Sequence, residues 1–219
     1  MSEIAVPDAD GLLLDGLDLH TPAQVNRSAW TGGRKVVGMP GSEVWYGKAT
    51  IDLLSTEEEE RPWRVFLFGL RGPVNWFRWP LPCSSHIGPK PTVDAGATNG
   101  YTLPLTGMQP NARVLRAGQF MTVPLPSGHY RAVCLTADLR ADASGDGTAV
   151  FVPDLGETPV EDAEVETVAP FIPMCLASDR QGFSMSDGVS GTGFDVEEAK
   201  SVAEAPSLLI ESDGHLLLE

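Results

Sequence analysis

The sequence predicts a mainly β architecture: a β-sandwich with one short side helix, and a second, small β-barrel of the OB-like kind. Three observations carry that expectation. The 219 residues include 23 Gly and 18 Pro beside 42% hydrophobic residues, the composition of a compact, turn-rich β chain. Over Glu43–Leu54, Trp45, Ala49, Ile51 and Leu53 alternate with Val44, Tyr46, Lys48, Thr50 and Asp52. That period of two describes a long strand with one buried face. Beyond residue 100 the apolar segments become short and are divided by Gly or Pro turns, the spacing of a small barrel.

Taken in order, Leu12–Leu14 followed by the Leu17/Leu19 alternation predicts a strand or a bent strand pair, broken at Gly16. Val25–Arg34 places Trp30 before a Thr-Gly-Gly turn, and Arg34–Val37 is a short strand ended by Gly38-Met39-Pro40-Gly41. The long strand of Glu43–Leu54 comes next. The following stretch, Glu57–Pro82, begins with a helix. Pro62 fits its first turn, four glutamates sit at the positive end of the macrodipole, and Trp63, Phe66, Leu67 and Leu70 form one apolar stripe. Gly69 weakens the last turn, and Gly72 with Pro73 ends it. Val74–Trp79 is then an aromatic-rich strand stopped by Pro80 and Pro82. Its rings are expected to be core, with a surplus ring at a subunit contact.

Cys83–Gly100 is small, polar and rich in turn residues, so it reads as a boundary or linker. Expected barrel strands follow at Tyr101–Leu105, Val114–Leu115, Phe120–Val123, His129–Leu135, Ala149–Val152 and Val165–Val168, with a hairpin tip at Leu139–Gly147. Phe171–Leu176 is another strand, Ser184–Gly193 a flexible loop, and Phe194–Ala199 a strand or short helix. Pro206–Glu219 reads as a terminal hairpin.

Charge is unevenly divided. Residues 1–137 hold 12 acidic and 12 basic side chains, whereas residues 138–219 hold 18 and 3, so the last part carries the whole net charge of −15. Sequence-specific nucleic-acid binding, which needs a basic face, is not expected. An acidic face could line a channel that DNA must pass without sticking, or serve solubility alone. The start MSEIAVPDADG has neither a basic nor an apolar leader region, and no apolar run approaches the ~20 residues of a membrane helix. A soluble protein made in the cytoplasm, with no membrane insertion, is the expectation.

Little in the sequence points to chemistry. Cys83, Cys134 and Cys175 are far apart and odd in number, which favours free thiols. His20, His86, His129 and His215 lack metal-ligand spacing. The Ser84-Ser85-His86 run lacks a nucleophile elbow, and the oxygen-bearing residues of Asp142–Gly147 suit a tight turn better than a calcium loop. No phosphate or dinucleotide loop is present. The expectation is a protein without catalytic, cofactor-binding or metal-binding residues, and not an enzyme.

Trp30-Thr31-Gly32-Gly33, Gly41-Ser42-Glu43-Val44-Trp45, Arg64-Val65-Phe66-Leu67 and Leu70-Arg71-Gly72-Pro73-Val74-Asn75-Trp76-Phe77 occur in an order that resembles the minor tail proteins of long-tailed bacteriophages. Within that group it is most similar to the distal tail proteins. The likeness spans about residues 25–200 and is strongest over 30–80. It implies a virion protein of the tail tip, made in the host cytoplasm, forming a ring of six copies that joins the tail tube protein to the baseplate hub protein. It also implies a sandwich domain over residues 1–82, completed by 171–219, with the barrel inserted at 83–170; the residues themselves equally allow two domains in a string. Trp76, Arg78 and Trp79 are the candidate subunit-interface residues. The rival expectation is a carbohydrate-binding module, a host-surface adhesin with a possible host glycan as ligand, suggested by five tryptophans confined to residues 1–82.

Overall fold

The computed structural model describes residues 1–8, 11–38, 41–51, 56–82, 86–180 and 193–200. The expected mainly β fold is observed: two curled five-stranded sheets form half-barrels, and the described residues contain one α-helix.

Strand β1 (Leu12–His20) is bent by a bulge between Leu14 and Gly16, at the break the glycine marks. β2 (Ala23–Arg27) and β3 (Arg34–Gly38) pair only with each other. β4 (Val44–Ile51) buries Trp45, Ala49 and Ile51, the alternation expected of it. α1 (Glu57–Leu70) opens with a capping box: Thr56 Oγ1 accepts the Glu59 N–H at 3.3 Å, and the Glu59 carboxylate accepts the Thr56 N–H at 3.2 Å. The helix buries Trp63, Phe66, Leu67 and Leu70, but it starts earlier than expected: the glutamates form its first turn behind the Thr56 cap, and Pro62, expected in that turn, lies inside the helix. It ends at Arg71, which is left-handed at φ 52° and donates its N–H to Phe68 O.

The strand expected at Val74–Trp79 starts later than that. Gly72–Val74 is a 3-10 turn, and β5 is Phe77–Pro80. Asn75 accounts for the delay: its N–H donates to Leu70 O and its amide to Gly69 O, so residues 69–75 fold back on the helix end. Within β5, Phe77 and Trp79 face the core while Arg78 and Pro80 face out.

The second sheet begins inside the stretch expected to be linker. β6 (Thr92–Val93) pairs with β7 (Thr102–Thr106), and Val93 lies in the core. β8 (Arg113–Leu115), β9 (Phe120–Pro124), β10 (Tyr130–Leu135), β11 (Leu139–Arg140) and β12 (Gly147–Val152) follow. β11 pairs with β8, so the expected tip at 139–147 starts as strand. Val165–Val168 forms no strand; its neighbourhood contributes only the bridges Thr92–Glu164 and Thr122–Glu166.

β13 (Phe171–Leu176) and β14 (Gly193–Glu198) return to the first sheet, whose order is β1-β4-β14-β13-β5; the second runs β6-β7-β12-β10-β9. Every residue of β13 is buried. Ile172, Met174 and Leu176 face the first core, and on the opposite face Phe171 meets the Tyr130 ring of β10 at 5.3 Å and bonds to Thr122 of β9. That two-sided burial is why FIPMCL is a continuous apolar run without alternation. The expected loop at 184–193 lies almost wholly outside the described residues, and the expected terminal hairpin at 206–219 lies wholly outside them.

Candidate functional site

The least buried element is the hairpin of β2 and β3. All ten strand residues are exposed. Its turn is well built: Gly33 O accepts the Ser28 N–H at 2.9 Å, Ser28 O accepts that of Gly32 at 3.1 Å, and Ser28 Oγ accepts that of Thr31 at 3.2 Å. Gly32 is left-handed at φ 64°, which favours glycine there. The apex this creates presents Trp30, 97% exposed.

Register fixes what each face of the hairpin offers. Val25 lies opposite Val36, and Arg27 opposite Arg34. Directly opposed residues two apart along the strand share a face, so one face carries a valine pair and then an arginine pair. Opposed like charges are destabilising. Among the described residues Arg27, Arg34 and Lys35 have no ion pair. They line, with Asn26, Ser28 and Gly33, an open concavity of about 470 Å³. No acidic residue lies between Asp18 and Glu43, so the hairpin is purely cationic on a chain of net charge −15. An isolated two-stranded hairpin is marginal in water. One that also exposes Trp30, Val25 and Val36 has the features of a binding arm.

The three residues expected at an interface occupy different environments. Trp79 is 2% exposed and belongs to the first core, so it is not a surface anchor. Strand alternation is the reason, since Trp79 shares its face with Phe77 and not with residues 76 and 78. Trp76 is half-buried, its ring 6.3 Å from that of Tyr130. The start of the chain lies beside it: Ser2 O accepts the Trp76 N–H, and Trp76 O accepts the Ile4 N–H. Arg78 is exposed, pairs with Glu3 at 2.8 Å and lies 4.3 Å over the Phe171 ring.

A buried polar cluster joins the two sheets. Arg131 on β10 donates through Nη1 to both Glu198 oxygens on β14, through Nε to Asp154 O at 3.0 Å, and through Nη2 to Glu43 O at 3.0 Å. His129 Nε2 lies 3.2 Å from Glu198 Oε1, and Glu198 Oε2 accepts the Trp45 N–H at 3.2 Å. Glu43 accepts the Asp154 N–H, and Lys200 donates to the carbonyls of Gly41 and Glu43. Burial alone would raise the Glu198 carboxyl; the His129 hydrogen bond and the Arg131 charge outweigh it and hold it below its ordinary value. Burial, then the nearby Arg131 charge, push the Lys200 ammonium down. Each donor of this cluster is aimed at another protein group, which suits a tie between sheets.

Other residues singled out in the sequence also serve structure. Asp142 Oδ1 accepts the N–H groups of Ser144, Gly145 and Asp146, and Asp146 accepts the Thr106 hydroxyl, so this loop's carboxylates are used by its own turn. His86 Nε2 contacts Gly88 O, while Ser84 and Ser85 lie outside the described residues. Among the described residues no group of three His, Cys, Asp or Glu side chains could hold a metal. None of the described helices is long and apolar enough to cross a membrane. No protein-family model and no curated protein matches the chain.

Sequence reading did not single out Val25, Arg27, Arg34 and Val36 as a site. A signal was present: an acid-free stretch from residue 19 to 42 with three basic residues around a turn that carries Trp30.

Proposed function

We propose that this protein is a structural component that works by assembling with copies of itself and with other proteins, as a ring in a phage tail tip between tube and hub. The observation that carries this reading is the freestanding hairpin, cationic and apolar on one face, with Trp30 at its apex. Such an arm lowers its free energy only when another surface covers it. The phage-tail assignment rests on the spaced motifs between Trp30 and Phe77. Two curled sheets tied by a buried ion pair make a rigid body, which suits a part whose work is association and not turnover. Against the adhesin reading, Trp45, Trp63 and Trp79 are core residues, so they offer no aromatic platform to a sugar.

Electron microscopy and native mass measurement of the purified protein test this. Closed rings, alone or with tail-tube or hub protein, are expected. A strict monomer at every concentration that binds neither protein would end the ring reading and bring the glycan-binding module to the front.

A further inference from the structure

Among the described residues the outer face of α1 is also uncovered, and its character is opposite to that of the hairpin. On α1 the buried stripe faces the first core, so the ridge opposite comprises Glu57, Glu58, Arg61, Val65 and Phe68. Val65 is 74% and Phe68 56% exposed, an apolar pair one turn apart with no cover among the described residues. Toward the N-terminus of the helix the same ridge turns acidic at Glu57 and Glu58, with Arg61 between them and Val65 and paired to Glu57 at 3.3 Å. Glu58 has no ion pair among the described residues.

The two surfaces match in order and in sign. On the hairpin the Val25–Val36 pair lies about 7 Å from the Arg27–Arg34 pair, two residues along the strands. On the ridge Val65 lies about 10 Å from Glu58, seven residues along the helix, a gap that long arginine side chains can span. Apolar meets apolar where cation meets carboxylate. Each surface supplies what the other lacks: anions for two opposed arginines, and an apolar lid for Val65 and Phe68.

We infer that the hairpin of one copy docks on the outer ridge of α1 of a second copy, with Val25 and Val36 over Val65 and Phe68, and Arg27 and Arg34 against Glu57 and Glu58. The inference rests on the assembly reading above and names its contact. The two halves are different surfaces, so the contact is heterologous: it propagates from copy to copy and closes by rotation. Nucleic acid or an anionic membrane would also answer the arginines. Both are disfavoured by a chain of net charge −15, and neither would cover Val65 and Phe68.

Complementary charge reversal on the full chain tests this, read by native mass measurement and sedimentation. Arg27→Glu with Arg34→Glu is expected to weaken self-association at least about tenfold, as is Glu57→Lys with Glu58→Lys. Each double variant alone sets like charges against each other, whereas mixing the two is expected to restore assembly with the copies alternating, because both the Arg-on-Glu and the reversed contact are complementary. Placing all four reversals in one chain restores assembly. Val36→Ser and Phe68→Ser, which leave charge unchanged, are expected to weaken association as well, because each removes apolar surface from the same contact. A wild-type assembly indifferent to every one of these changes overturns this contact while leaving the ring reading in place. A wild type that is monomeric throughout overturns both. Hairpin-dependent binding to single-stranded DNA or to phosphatidylserine vesicles, without an effect on assembly, would reassign the arm.

Discussion

Arg131 shows how much a single side chain can hold together here. It is 1% exposed, and its side-chain hydrogen bonds cross from β10 to groups elsewhere in the chain. Removing one partner of such a pair strands the other, so Arg131→Met is expected to cost about 3–5 kcal/mol in urea unfolding at neutral pH. The acid limb tests the same pair. Because the folded Glu198 carboxyl titrates below its ordinary value of 4.5, its contribution is present above that pH and is lost as pH falls through the depressed folded value. Glu198→Gln is therefore expected to be less stable than wild type at pH 7, with the difference narrowing below pH 4.5; a difference constant down to pH 2 would refute the assignment. The cysteines give a second reading at this scale. Burial and then the Glu197 charge push the Cys175 thiol up to about 11, and burial raises Cys134. In a Cys83→Ser background at pH 8, both are expected to resist thiol reagents until the chain is unfolded.

Among the elements, α1 was the most legible. Its stripe and the chain reversal after it follow from local rules, whereas its start did not, since the Thr56 capping box sets it a turn before Pro62; Phe66 meets Trp63 and Phe77 edge-on at 5.8 and 5.4 Å. Phe66→Ala is expected to cost about 3–5 kcal/mol by calorimetry or denaturant unfolding, and an unchanged midpoint would mean the ring is not core. Thr56→Ala removes half the capping box and is expected to cost about 0.5–2 kcal/mol. β5 was less legible, and the reason is parity. Trp76 and Trp79 are three apart, so they cannot share a face in a strand; only Phe77 and Trp79 point inward. The Trp79 ring also explains Gly47 in the middle of β4, where an added Cβ would lie 2.8 Å from it. β5 and β4 are separated by two strands in the sheet, so this contact reports the curl of the whole sheet, which no local pattern records. β6 was hidden among turn residues because two paired residues are too few to show alternation. The arm was half legible: β3 and the turn could be read, but the missing cover of its two strands is a property of the fold.

At the scale of the molecule, the order β1-β4-β14-β13-β5 places two strands from beyond residue 170 between strands from the first 82 residues. No pattern within residues 12–80 announces that vacancy. Its physical trace is the unbroken apolar run of β13, which needs cover on both faces and finds one face in each half of the molecule. Thr122 strengthens that junction: its hydroxyl donates to Phe171 O at 2.7 Å and accepts the Phe171 N–H at 2.8 Å. A fragment of residues 1–82 would leave β4 without β14 and β5 without β13, and would remove Ile172, Met174 and Val196 from the core. Edges of that kind, lined by exposed apolar side chains, associate or stay unfolded. The fragment is therefore expected to lack a cooperative thermal transition. Joining residues 171–219 to it through a short Gly/Ser linker, which returns β13 and β14, is expected to restore one, although with lower stability because β9 and β10 no longer cover the second face of β13. A cooperative, monomeric 1–82 fragment would show that the inner strands are additions to the sheet and not its centre.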